Sequence, residues 1–120
     1  MRIKRFNENL DNLAIEPITF NNSKGIQKTV YPSVIVDFIK TTFETRDAIR
    51  KEMNDLMHNQ GFSTPPKFVN IDGSIIPSDR SVIEINKKYP GFKWVFFVEE
   101  KNLEKSKEIA DKYGVDFYQK

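Results

Sequence analysis

Seven consecutive positions, Phe92-Lys93-Trp94-Val95-Phe96-Phe97-Val98, constrain this chain more than any other feature. Pro90-Gly91 bounds the run on one side and Glu99-Glu100 on the other. Apolar side chains occupy both alternating sets, so neither face of the strand it predicts suits water. A strand of that kind belongs in the interior of a sheet whose two faces are covered. The residues that follow set the next two elements. Asn102 caps a helix over Leu103–Tyr113, Glu108 and Lys112 are spaced i,i+4 on it, and Gly114 stops it. Val115–Tyr118 reads as a last strand. Strand, helix and strand over residues 92–118 predict a βαβ unit.

Glycine and proline punctuate the rest of the chain. Ile18-Thr19-Phe20 and Ile26–Val30 flank a five-residue loop ending at Gly25, which predicts a hairpin with Pro17 leading into an edge strand. Ser33–Thr42 is rich in β-branched residues and reads as a strand, with a helix capped by Ser33 as the competing reading. Over Thr45–Gln60 the spacing of Ile49, Met53, Leu56 and Met57 is helical, and Gly61 suits its end. Asp72-Gly73 between Lys67–Ile71 and Ser74–Ile76 predicts a second hairpin with a two-residue turn. Ser81-Val82-Ile83-Glu84 matches a capping box opening a short helix before Pro90, and a strand over Val82–Ile85 stays open beside it. Residues 1–13 are polar and are expected to form an arm or a short edge element. The whole predicts one α+β domain: a mixed β-sheet with about three helices.

Composition excludes more chemistry than it suggests. The 120 residues contain no cysteine, so disulfides, thiolate catalysis and cysteine-based zinc sites are ruled out. A net charge of +2 is too small to imply a polyanionic partner by itself. No apolar stretch reaches the length of a signal peptide or a membrane span, which predicts an intracellular protein without a membrane partner. The single histidine, His58, falls near a helix C-terminus, where an imidazolium is favoured by the helix dipole for structural reasons alone. Phosphate-binding glycine loops, calcium loops and the G-x-S-x-G elbow are absent. No cofactor or metal is expected. Two carboxylates stand out by position: Glu99 and Glu100 follow the central strand, where ligands of open α/β sheets bind. A solvated, charged loop explains the same two residues.

Pro90-Gly91-Phe92-Lys93-Trp94-Val95-Phe96-Phe97 resembles the central-strand signature of the RNA-recognition motif, and Lys67-Phe68-Val69-Asn70-Ile71 resembles its partner strand. The resemblance implies that Phe92 and Trp94 lie on an open sheet face and stack on bases, with Lys93 beside them. This chain has Pro90 where the family has a basic residue and Lys93 where it has a small one. The opening Met1-Arg2-Ile3-Lys4-Arg5-Phe6-Asn7-Glu8-Asn9-Leu10 is similar to the starts of small proteins of T4-like tailed phages. That resemblance implies an accessory protein acting in the host cytoplasm on a host or virion partner.

Three functions are therefore expected in order. The first is a non-catalytic binding or accessory protein acting through a surface patch on a protein partner or a second copy of itself. The second is a single-stranded nucleic-acid binder using Phe92, Lys93 and Trp94. The third is a small-ligand protein or enzyme with a site around Glu99 and Glu100. No residue is assigned a catalytic role.

Overall fold

The run at residues 93–98 becomes the interior strand of the molecule, flanked on both sides by other strands. The computed structural model describes residues 14–21, 25–58, 66–77 and 81–118. The expected arm at 1–13, the middle of the first hairpin loop and residues 59–65, with the expected helix end at Gly61, lie outside the described residues. The strands are β1 (Ile18–Asn21), β2 (Gln27–Val36), β3 (Lys67–Val69), β4 (Ile75–Ile76), β5 (Lys93–Val98) and β6 (Asp116–Phe117). The helices are α1 (Phe43–His58), α2 (Val82–Lys88) and α3 (Leu103–Tyr113), with a 3₁₀ turn at Glu100–Asn102.

The strands form one sheet in the order β1-β2-β5-β3-β4, with β6 also pairing with β2. The α+β architecture expected from the sequence is the one adopted. Its ladders are all antiparallel among the described residues. β5 and β6 are each antiparallel to β2, so they run in the same direction with β2 between them. The βαβ unit over residues 92–118 is thus present, and α3 carries the chain across an intervening strand.

β2 runs without interruption through Pro32, where the sequence suggested a break. Pro32 pairs with Phe97 and Ile35 with Val95, so Ser33 and Val34 together oppose Phe96 alone. This β-bulge inserts one residue into β2 and reverses the parity of its side chains. Val30 and Ile35 accordingly face one core cluster, and Val34 and Val36 the other. The bulge is held from both sides. Ser33 Oγ donates to the Phe96 carbonyl at 2.9 Å, and the Tyr118 N–H donates to the Ser33 carbonyl at 2.7 Å.

Strand structure ends at Val36, six residues short of the expected boundary at Thr42. Asp37 accounts for the difference. Its carbonyl accepts from the Thr41 N–H at 3.0 Å and its carboxylate from the Lys40 N–H at 3.3 Å, which closes a turn. Such local bonding outweighs the β preference of Ile39, Thr41 and Thr42. Thr42 Oγ1 then accepts from the Thr45 N–H at 3.2 Å and caps α1, which begins two residues earlier than its apolar stripe indicates.

The β3–β4 connection also departs from expectation. Asn70 N–H donates to the Ser74 carbonyl at 2.8 Å and Gly73 N–H to the Asn70 carbonyl at 2.9 Å, with Gly73 at φ +92°. This is a three-residue connection with glycine in the left-handed position, in place of a two-residue Asp72-Gly73 turn. A Cβ on Gly73 would stand 2.0 Å from the Ala14 carbonyl oxygen, so position 73 admits only glycine without rearrangement. Over residues 82–88 the helix is formed, with Ser81 Oγ accepting from the Glu84 N–H.

Trp94, Phe96 and Val98 point to the side of β5 on which Ile49 and Met53 of α1 and Ala110 of α3 pack. Val95 and Phe97 point to the other side, against Ile15, Ile35, Val69 and Tyr118. α2 closes the end of the sheet by setting Ile85 against Ile76 and Phe92. No helix among the described residues is long and apolar enough to cross a membrane.

Candidate functional site

Phe92 and Trp94 are buried, at 2% and 9% exposure. Their rings belong to a chain of aromatic contacts at one end of the core. Phe92 meets Phe68 edge-on at 5.3 Å, and Phe68 meets Phe38 at 5.5 Å. Trp94 meets Phe38 at 5.4 Å and Phe96 at 4.8 Å. The face that the RNA-recognition-motif resemblance leaves open is the face on which α1 and α3 pack. A base reaches these rings only by displacing the side chains that cover them. Lys93 does not join them. Adjacent residues of a strand point to opposite faces, and Lys93 Nζ lies 3.4 Å from Asp37 Oδ2. The three residues expected to act together are divided between two sides of the sheet.

Glu99 and Glu100 do follow β5 directly, as expected, and they differ in burial. Glu100 is exposed at the start of the 3₁₀ turn. Glu99 is largely buried, with Oε1 3.7 Å from Lys28 Nζ. Its Oε2 is buried without a hydrogen-bond partner, and so is Nδ2 of Asn102. One unpaired acceptor and one unpaired donor in a single turn complement each other rather than a charged ligand. Among the described residues no three His, Cys, Asp or Glu side chains gather as metal ligands. The side chain of His58 lies outside the described residues.

An open groove of about 420 Å³ lies between α1 and α3, lined by Glu52, Leu56, Lys105, Glu108, Ile109 and Lys112. Two of its four charged residues, Glu52 and Lys112, are paired within the chain. Glu52 Oε2 accepts from Lys112 Nζ at 2.9 Å and from the Tyr113 hydroxyl. The Tyr113 bond first, and then Lys112, hold the Glu52 carboxyl below its ordinary range, while the same bond holds the Tyr113 hydroxyl above its own.

The surface feature that stands out is at the start of α1. Phe43 is 68% exposed and Ile39, in the preceding turn, is 53% exposed. Between Phe43 and the core lies Arg46. Its guanidinium carbon sits 3.9 Å above the Phe38 ring centre and 5.9 Å from that of Phe43, and its Nε donates to the Thr41 carbonyl at 3.2 Å. Cation–π attraction holds the half-buried guanidinium over the core's aromatic end.

Local sequence explains the geometry. Arg46 continues the buried stripe of α1, three residues before Ile49 and seven before Met53, so it is aimed at the core and lies over its rim. Phe43 is six residues before Ile49 and falls off that stripe, which turns its ring outward. An aromatic residue off the apolar stripe was the available signal, and the strand reading of residues 33–42 obscured it.

Several charges further along α1 are paired within the chain. Asp47 pairs with Arg50 at 2.6 Å and Lys51 at 3.3 Å, and Glu52 with Lys112. Glu44 and Arg46, both in the first turn of α1, form no ion pair among the described residues, and neither do the nearby exposed Lys40 and Asp55. Comparison with family models, with curated proteins and with solved structures finds no match for this chain.

Proposed function

We propose that this chain is a non-catalytic binding protein whose surface patch is Ile39, Phe43 and Arg46. The observation that carries the reading is Phe43 itself: a phenylalanine 68% exposed on a regular helix, with an arginine beside it that has no counter-ion among the described residues. Aromatic and arginine side chains are the types most enriched at the energetic centres of protein interfaces. Placing them on a helix start, anchored through Phe38 to the core, gives a partner a rigid target. An accessory role in a phage-infected host is compatible with such a patch, and the amino-terminal resemblance remains its only support. Neither alternative has an observation of equal weight, since Phe92 and Trp94 are covered and Glu99 and Glu100 differ in burial.

The test is site-specific photocrosslinking in cells that make the protein. A benzophenone side chain at position 43 is compared with one at position 83, where Ile83 is equally exposed but belongs to no such cluster. A protein adduct formed from position 43, absent from position 83 and lost with Arg46→Ala supports the reading. Equal or absent labelling at the two positions overturns it.

A further inference from the structure

We infer that residues 14–17 form a strap that opens as a unit from the helix-free face of the sheet while the rest of the domain stays folded. The inference stands apart from the patch at residues 39–46. Its ground is the unequal way in which the two faces of the sheet are covered. On one side the core includes helical side chains, Ile49, Met53 and Ala110, and Ile85 of α2 belongs to the cluster at the end of the sheet. The cluster on the other side contains no helical residue. It joins Val69, Val95 and Phe97 of the strands to Ile15 and Tyr118.

The strap is held at three points, and none of them is part of a ladder. Ile15 is buried, whereas Ala14, Glu16 and Pro17 are exposed. The Ile15 N–H donates to the Tyr118 hydroxyl at 3.1 Å. The Ala14 carbonyl approaches Gly73 so closely that a Cβ there would stand 2.0 Å from its oxygen. Pro17 has no N–H with which to extend the β1 ladder, which begins at Ile18 opposite Val30. One buried side chain and one hydrogen bond hold a segment less firmly than strand pairing does, which places the strap at the low-stability end of the molecule. Its anchor is firmer. Tyr118 also donates its N–H to the Ser33 carbonyl at the β-bulge, at 2.7 Å. The docking site therefore stays in place when the strap leaves, and what is uncovered is an apolar sheet face of the kind that soluble monomers keep covered.

Native-state hydrogen exchange on the full chain, in guanidinium chloride below the unfolding transition, reads the opening. The Ile15 amide should exchange faster than those of Val95 and Phe97 in the interior strand. It should also depend little on denaturant, because strap opening exposes far less surface than global unfolding. Gly73→Ala touches neither the Ile15 amide nor Tyr118, and by displacing the Ala14 carbonyl it should speed Ile15 exchange about tenfold or more. Gly25→Ala is the control: its Cβ meets open space, and Ile15 exchange should be unchanged. The uncovered face should bind an apolar dye, so the emission of anilinonaphthalene sulfonate should rise in Gly73→Ala while helical circular dichroism is retained. Tyr118→Phe removes only the hydroxyl that accepts from Ile15, and it supplies the same dye readout in case Gly73→Ala does not fold.

Ile15 exchanging at the same rate and with the same denaturant dependence as Val95 overturns the inference, since the segment then opens only with the whole domain. A folded Gly73→Ala that leaves Ile15 exchange unchanged, or that gains no dye emission, overturns it as well. So does an equal gain in Ile15 exchange from Gly25→Ala, which would mean that any loss of stability has the same effect.

Discussion

The guanidinium of Arg46 covers the Phe38 ring at 3.9 Å, and through that ring it closes the aromatic end of the core. Phe38 touches Phe68 and Trp94 edge-on, so one side chain at the surface stands over three buried or half-buried rings. Arg46→Ala should destabilise the fold by about 1 kcal/mol, the range for a partly desolvated cation–π contact with some lost packing. Arg46→Lys should recover part of that loss, because an ammonium keeps the charge and not the flat stack. Urea titration of the three proteins gives the ordering, and equal midpoints would show that the stack contributes nothing.

Trp94 reports on its surroundings without any substitution. At 9% exposure, between Phe38 and Phe96, its emission should be blue-shifted and resist iodide and acrylamide. Saturating single-stranded RNA or DNA should leave both spectrum and quenching unchanged. A red-shifted, readily quenched emission that responds to oligonucleotide would return Phe92 and Trp94 to the role of a stacking platform.

Glu52 and Tyr113, on α1 and α3, should give the protein a stability profile with two opposite limbs. The folded Glu52 carboxyl titrates below its ordinary value of 4.5, so its contribution is complete above that value and is lost as pH falls through the folded pKa. The folded Tyr113 hydroxyl titrates above its ordinary value of 10.0, so its contribution is complete below that value and is lost as pH rises through the folded pKa. Glu52→Gln should lessen the pH dependence on both limbs at once. Melting temperatures across the acid and alkaline ranges test this, and a variant profile parallel to the unmodified one would refute the coupling.

Two glycines with similar backbone angles provide a matched comparison. Gly73 and Gly25 have φ of +92° and +81°, but a Cβ at 73 meets the Ala14 backbone whereas a Cβ at 25 meets open space. Gly25→Ala should cost about 1 kcal/mol, from the left-handed conformation alone. Gly73→Ala should cost about 2 kcal/mol or more, because the Ala14 segment must also move. Denaturant midpoints with equal losses would mean that residues 14 and 73 do not make a rigid contact.

Several elements were legible because the information lies within a few residues of where it acts. The apolar run ending at Val98 specifies an interior strand wherever it is placed, and β5 is one, between β2 and β3. Ser81 caps α2 through its hydroxyl, and Gly114, lacking a Cβ, takes φ +68° and ends α3. The site was not legible in the same way. Whether Trp94 and Phe92 are open or covered depends on where α1 and α3, and for Phe92 α2, pack, and no spacing within residues 90–97 contains that choice.

The chain by itself therefore determined an α+β domain with an interior aromatic strand, three helices, the Ser81 cap and the Gly114 stop, because propensity, periodicity and turn chemistry act through near neighbours. The Thr42 cap was hidden by the strand reading, and Asn102 makes no side-chain capping bond. Only the tertiary structure decided where the function-bearing groups ended up. Pairing across 63 positions places Ser33 on the Phe96 carbonyl, and the bulge there reassigns every later side chain of β2 to the opposite face. Asp37 then turns the chain out of the sheet, Phe38 packs against the core, and Ile39 and Phe43 stay outside, with Arg46 over the Phe38 ring. Burial is a property of which surfaces meet, so Trp94 became core and Phe43 became surface although both are aromatic residues of the same chain.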